Sequence, residues 1–167
     1  IHYKFQCGWK TKYDDIQTTN LDKISMGSNP ANLKDVKADK RYRFVKGDIA
    51  DKELVKNLVN KADAVVNIAA ETHVDRSIAD PWPFFHSNIL GALNLLETTK
   101  ELNKRLLHVS TDEVYGEVLE NPFKEDDRLK PSSPYSAAKA AADLFALAYH
   151  KTYGLNVVIV RCTNNFG

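Results

Sequence analysis

The sequence predicts an α/β fold in which a parallel sheet is wound on both faces by helices. Short β-leaning runs alternate with helical spacing along the chain, which is the signature of strand–helix–strand units. The run Ala64-Val65-Val66-Asn67-Ile68-Ala69-Ala70 is almost wholly apolar, as a parallel strand buried on both faces should be. Polar and acidic residues follow the apolar runs directly, and open α/β sheets carry their chemistry at strand C-terminal ends.

Composition sets the limits. With 167 residues the chain has the length of one domain with a real core. Its 43% hydrophobic and 27% charged residues are ordinary for a globular protein, and a net charge of +1 gives no pull toward nucleic acid or an anionic membrane. No apolar run is long enough to cross a bilayer, and the opening Ile1-His2-Tyr3-Lys4-Phe5-Gln6 is not a signal pattern. Cys7 and Cys162 offer no metal spacing and suit a reducing compartment, so the expected location is cytoplasmic.

Residues 1–15 interleave Lys4, Lys10 and Lys12 with aromatics in no clean period, and carry no motif. Ile16 to Leu21 is β-leaning and ends at Asp22-Lys23; an acid there either grips a nucleotide ribose or simply closes a turn. Met26 to Pro30 reads as a loop, Ala31 to Lys40 as a short helix and Arg41 to Lys46 as a strand stopping at Gly47-Asp48-Ile49. Asp51 to Lys61 has helical spacing, with Asp51 as N-cap and Leu54, Val55, Leu58 and Val59 inward. The apolar strand ends at Ala69-Ala70-Glu71-Thr72, where small residues admit another backbone or a flat ligand. Pro81 to Lys100 is helical, with Leu90, Leu93 and Leu96 read as core packing; Leu106 to Ser110 is the next strand. Pro122 to Pro134 is a polar loop, Tyr135 to Tyr153 a long alanine-rich helix and Asn156 to Arg161 a last strand.

Two stretches carry chemistry. Tyr135 and Lys139 stand one turn apart on one helical face, where the lysine cation can lower the phenol pKa and make a base of it. Ser110-Thr111-Asp112-Glu113 puts a hydroxyl and two acids at a strand end. The ordinary alternatives are an amphipathic-helix pair and solvated loop acids. His73, His86, His108 and His150 read as structural or surface residues, Asp75-Arg76 as a local ion pair or subunit contact, and Cys162 as a small buried residue.

Taken with Leu21-Asp22-Lys23-Ile24-Ser25, Gly47-Asp48-Ile49, Ala69 to Ser77, Ser87-Asn88, Pro131 to Lys139 and Arg161 to Gly167, the Thr-Asp-Glu stretch resembles the extended short-chain dehydrogenase/reductases, and within them the nucleotide-sugar dehydratases of the NAD-dependent epimerase/dehydratase family. The resemblance runs from about residue 14 to the end of the chain. It implies a Rossmann-like sheet, incomplete at both ends, in a single partial NAD-binding domain spanning 1–167. It implies NAD as cofactor, with Asp22, Lys23, Ile24 and Ser25 along the adenosine ribose and Asp48 and Ile49 at the adenine. Ile68, Ala69, Ala70, Glu71 and Thr72 would line the nicotinamide side, and Ser87, Tyr135, Lys139 and Asn165 would make further cofactor contacts. Thr72, Thr111 and Asn164 would hold the substrate, with Asp112 as general acid and Glu113 as general base.

The implied reaction turns dTDP-glucose into its 4-keto-6-deoxy product: oxidation at C4, loss of water across C5 and C6, and return of the hydride to C6. Two adjacent carboxyls can then serve as acid and base only if their surroundings separate their pKa values. A nucleotide-sugar 4-epimerase shares the tyrosine and lysine but typically lacks the acid pair; a UDP-glucose 4,6-dehydratase shares all of them. The resemblance also implies a homodimer docked through the helix at 136–150. No glycine-rich turn occurs on a first strand, since Gly8-Trp9-Lys10 is not a phosphate cradle, and no substrate domain follows Phe166-Gly167. The reading from another class is therefore an inactive fragment or binding module, and the chain alone is expected to turn over poorly.

Overall fold

The computed structural model describes residues 15–25, 28–117 and 122–163. All of its strands are parallel. β1 (Thr18–Asp22) pairs with β2 (Tyr42–Lys46) in register Thr18 to Tyr42 through Asp22 to Lys46. β3 (Ala64–Asn67), β4 (Arg105–Thr111) and β5 (Val157–Cys162) form a second sheet with β4 central. Among the described residues no ladder joins β1 to β3, so the single sheet expected from the sequence is present as two pieces.

Helices follow the strands in the expected alternation. The 31–40 segment opens as a 3-10 turn (Pro30–Leu33) and continues as α1 (Lys34–Lys37). α2 (Lys52–Val59) is capped by Asp51, whose carboxylate accepts from Leu54 N at 3.0 Å. α3 (Val74–Ala79) was not legible in the sequence. α4 is continuous but mixed: Trp82–Phe84, a π-helical stretch Phe85–Gly91, then Ala92–Glu101. α5 (Pro134–Tyr153) begins with a reciprocal Ser133–Ser136 capping box and ends at Gly154, whose φ of +68° turns the chain out of the helix.

One face of the sheets receives α2, α4 and α5. Ile49, Val55, Val59 and Leu95 close the core between α2 and α4, and Leu96, Leu106, Ala146 and Leu155 close it between α4, β4 and α5. β5 shows the consequence of alternation: Val157, Ile159 and Arg161 turn toward α5, while Val158 is 56% and Val160 39% exposed.

Three expectations are corrected. The apolar run leaves the sheet after Asn67, so Ile68 to Ala70 are half-buried lining rather than strand. Leu90 is 42% exposed, because the π-helical register shifts the inward face to Ser87, Asn88 and Gly91. Cys162 is half-buried rather than buried.

Candidate active site

The C-terminal ends of the strands converge on two adjoining features. The first is a cavity of about 360 Å³ between the sheets, lined by Asp22, Lys23, Ile24 and Ser25 from the end of β1, Gly47, Asp48 and Ile49 from the end of β2, Ile68 to His73 from the end of β3, and Ser87 from α4. The structure thus brings together the candidates Asp22, Lys23, Ile24, Ser25, Asp48, Ile49, Ile68, Ala69, Ala70, Thr72 and Ser87. Its rim is held by local carboxylate turns: Asp22 Oδ1 accepts from Ile24 N at 2.7 Å and Asp48 Oδ1 from Ala50 N at 2.9 Å. Ile24 (φ +56°) and His73 (φ +77°) occupy the left-handed region on this rim, a conformation that costs about 1–3 kcal/mol each and concentrates at ligand sites. His73 is exposed on this rim. Ile49 faces two ways: it belongs to the α2–α4 core, and its carbonyl accepts from Asn94 Nδ2 at 2.7 Å.

The second feature is the end of β4. Thr111 has extended backbone and caps a 3-10 turn, Asp112–Tyr115, accepting from Glu113 N at 3.3 Å. Its hydroxyl donates to Asp112 Oδ1 at 3.2 Å. The turn closes at Gly116 (φ +92°), where a Cβ would lie 2.4 Å from the Lys130 carbonyl oxygen; no side chain fits there. Tyr135 arrives from the first turn of α5. Its N–H donates to Ser77 Oγ at 3.0 Å, and its ring packs edge-on against Phe84.

The electrostatics tie these groups into one cluster. Burial first, then the Glu113 charge, raises the Tyr135 phenol above its ordinary pKa; contact with the Thr111 hydroxyl works the other way, and Asp112 adds to the rise. Glu113 is exposed as a residue, yet partial burial of its carboxyl, followed by the Asp112 charge, holds its pKa above the usual range. Lys139 departs from the sequence expectation. Its ammonium donates to the Val109 carbonyl at 2.7 Å, and the phenol beside it is raised, not lowered. Burial brings the Lys139 pKa down to about 8, opposed by Asp143 and Cys162.

Behind Lys139 lies a buried group that sequence reasoning did not assemble. Asp143 is 0% exposed, and its Oδ2 accepts from Arg161 Nε at 2.8 Å. Arg161 also donates to the Tyr115 hydroxyl at 2.6 Å. His108 Nδ1 faces Asn67 Nδ2 at 3.1 Å. Asn67 Oδ1 accepts from Ala69 N, so its amide nitrogen is the donor and the neutral imidazole carries its proton on Nε2, 3.7 Å from Asp143 Oδ1. Burial, then the Lys139 charge, takes the His108 pKa down to about 3. The i+4 spacing of Asp143 from Lys139 was a readable signal for part of this group.

Glu71 and Asn88 are buried, at 4% and 3% exposure, which the sequence did not show. Glu71 pairs with Lys23 at 2.9 Å and Arg76 at 3.5 Å, so Arg76 bonds back to the β3 loop rather than to Asp75. Asn164 and Asn165 lie outside the described residues. Among the described residues no helix is long and apolar enough to cross a membrane.

The family model described as GDP-mannose 4,6 dehydratase matches residues 7–167. A dTDP-glucose 4,6-dehydratase of Streptomyces niveus is 49% identical over 152 residues, covering 90% of this chain and 45% of that protein. One from Streptomyces antibioticus is 48% identical over 168 residues, covering 100% of this chain and 49% of that protein. A crystal structure of the dTDP-glucose 4,6-dehydratase from Streptomyces venezuelae with NAD bound superposes with a TM-score of 0.92 at 44% identity, covering 99% of this chain and 52% of that one. The chain spans about half the length of the relatives it matches.

Proposed function

Because the chain belongs to the GDP-mannose 4,6 dehydratase family, we propose that its protein dehydrates a nucleotide-activated glucose, dTDP-glucose, to the 4-keto-6-deoxy sugar nucleotide with NAD as cofactor. One observation carries the reading: a hydroxyl and two carboxyls, from Thr111, Asp112 and Glu113, meet the Tyr135 phenol at one strand end closely enough that each of the three moves its proton affinity. A 4-epimerase needs the phenol and the hydroxyl, but not the acid pair.

The cavity is the candidate dinucleotide site. Asp22, Lys23, Ile24 and Ser25 would take the adenosine ribose, Asp48 and Ile49 the adenine, and Ile68 to Ala70 the nicotinamide side, with Ser87, Tyr135, Lys139 and Asn165 adding contacts. When bound, NAD supplies a reversible hydride acceptor. The chain's own groups do the proton work. Tyr135 takes the proton of the C4 hydroxyl, Lys139 stands one helical turn away with its ammonium on the Val109 carbonyl, and Thr111 donates a hydrogen bond to the C4 oxygen. Once C4 is a ketone, the C5 proton is acidic, and Glu113 removes it. Burial and the neighbouring Asp112 charge hold the Glu113 carboxyl above its usual range. Asp112 protonates the departing C6 hydroxyl. Thr72 and Asn164 would hold the sugar nucleotide.

A homodimer and a cytoplasmic location belong to the same proposal. The outer face of α5 presents Leu144, Phe145 and Leu147, at 56, 39 and 49% exposure, beside Phe85 and Leu90 of α4, and a second copy would cover them.

The test incubates the purified chain with NAD and, in separate reactions, dTDP-glucose and UDP-glucose, and follows loss of one water by mass spectrometry. Loss from dTDP-glucose is expected, slower than in a full-length relative. Loss from UDP-glucose alone reassigns the base, and no loss from either by a folded chain overturns the catalytic reading in favour of a binding module.

A further inference from the structure

Glu71 is the most deeply buried acid of the nucleotide cavity, 4% exposed, and the chemistry above gives it no task. Its backbone is clamped at both ends by one side chain: Glu71 N donates to Asn88 Oδ1 at 2.8 Å, and Asn88 Nδ2 donates to Glu71 O at 3.0 Å. Asn88 is 3% exposed and sits on the π-helical stretch of α4, so the loop after β3 is pinned to that helix. The carboxylate then reaches two ways. Oε1 lies 2.9 Å from Lys23 Nζ, and Oε2 lies 3.5 Å from Arg76 Nη2.

Each contact has a consequence. Lys23 stands at the end of β1, and β1 and β3 share no ladder among the described residues, so the Lys23–Glu71 pair crosses the gap that forms the cavity. Lys23 also donates to Ser87 Oγ and lies 4.0 Å from Asp48 Oδ2, which leaves its ammonium fixed at the cavity wall. Arg76 belongs to α3. The neighbouring Ser77, 0% exposed, accepts the Tyr135 N–H and seats the first turn of α5.

We propose that Glu71 is a positioning residue that sets Lys23 against a bound dinucleotide and, through Arg76 and α3, steadies the turn carrying Tyr135. This rests on reading the cavity as the NAD site. A neutral amide at position 71 keeps the shape and the backbone clamp. It removes the charge that holds both cations, and a partly buried ammonium without its partner relaxes toward solvent or toward Asp48.

The test is a double-mutant cycle on NAD affinity, read by calorimetry on the full chain, with Glu71→Gln, Lys23→Met and the double variant. Each single variant is expected to weaken NAD binding at least tenfold. The double variant should be no weaker than the worse single, because both changes act through the same ammonium. A purely structural role would lower the urea midpoint and give losses that add. If Glu71→Gln fails to fold, Glu71→Asp serves instead: it keeps the charge but is too short to reach both cations, and should weaken NAD binding by a smaller factor with an unchanged urea midpoint. Additive losses, or a variant that binds NAD as tightly as the wild type, overturn the role of Glu71. A folded wild-type chain that binds no NAD overturns the dinucleotide reading itself, and the role of Glu71 with it.

Discussion

His108 makes the fold sensitive to acid, by an amount the structure allows to be worked out. The imidazole is 3% exposed, faces the Lys139 ammonium, and has its pKa lowered from 6.5 to about 3. In the unfolded chain the same ring titrates at its ordinary value. Between these limits the unfolded state binds a proton that the folded state refuses, so stability is complete above pH 6.5 and falls as pH drops toward 3. Each unit of separation is worth about 1.4 kcal/mol, so this one group removes about 2 kcal/mol between pH 6.5 and 5, and approaches about 5 kcal/mol near pH 3. The assay is urea unfolding at pH 7, 6 and 5 for the wild type and His108→Asn, which keeps an acceptor for Asn67 Nδ2. The variant should be less stable at pH 7 but should lose about 2 kcal/mol less on acidification. Carboxylates titrate in both proteins and cancel in the difference. Parallel stability curves for the two proteins would refute the reasoning, because His108 would then take its proton in the folded state.

Other consequences follow from the same geometry. Asp143→Asn removes the main group that opposes burial at Lys139, so the lysine should titrate below about 8, followed by NMR of carbon-13-labelled lysine; an unmoved titration would mean the two do not interact. Glu113→Gln should lower turnover of the sugar nucleotide by about 10²–10⁴-fold while leaving NAD affinity unchanged, as water-loss and calorimetric assays would show. Asp51→Ala should cost about 1 kcal/mol in urea unfolding through loss of the α2 cap. Gly116→Ala should cost clearly more than Gly154→Ala in the same assay, since a Cβ at 116 strikes the Lys130 carbonyl at 2.4 Å and a Cβ at 154 meets nothing within 4 Å.

Much of the fold was legible locally. Strand and helix order, the Asp51 cap and the long α5 with its tyrosine follow from periodicity and capping chemistry, which act over a few residues and leave a trace in the sequence. The site was legible as two stretches, Thr111 to Glu113 and Tyr135 to Lys139, because a strand end and a helical turn each place neighbours predictably. Periodicity misled where a helix changed its pitch: seven residues of π-helix in α4 rotated Leu90 outward and Ser87 and Asn88 inward, and no residue type announces that shift.

By itself, then, the sequence picked out the candidate residues and the element each rides on. Only the tertiary structure decided how those residues are charged and tied. Lys139 reaches the Val109 carbonyl rather than the phenol, Glu71 holds Lys23 across the gap between the sheets and Arg76 on its own side, and His108 stays neutral behind Lys139. Burial and the distance to charges remote in the chain set these properties, and neither has a period that a sequence can display.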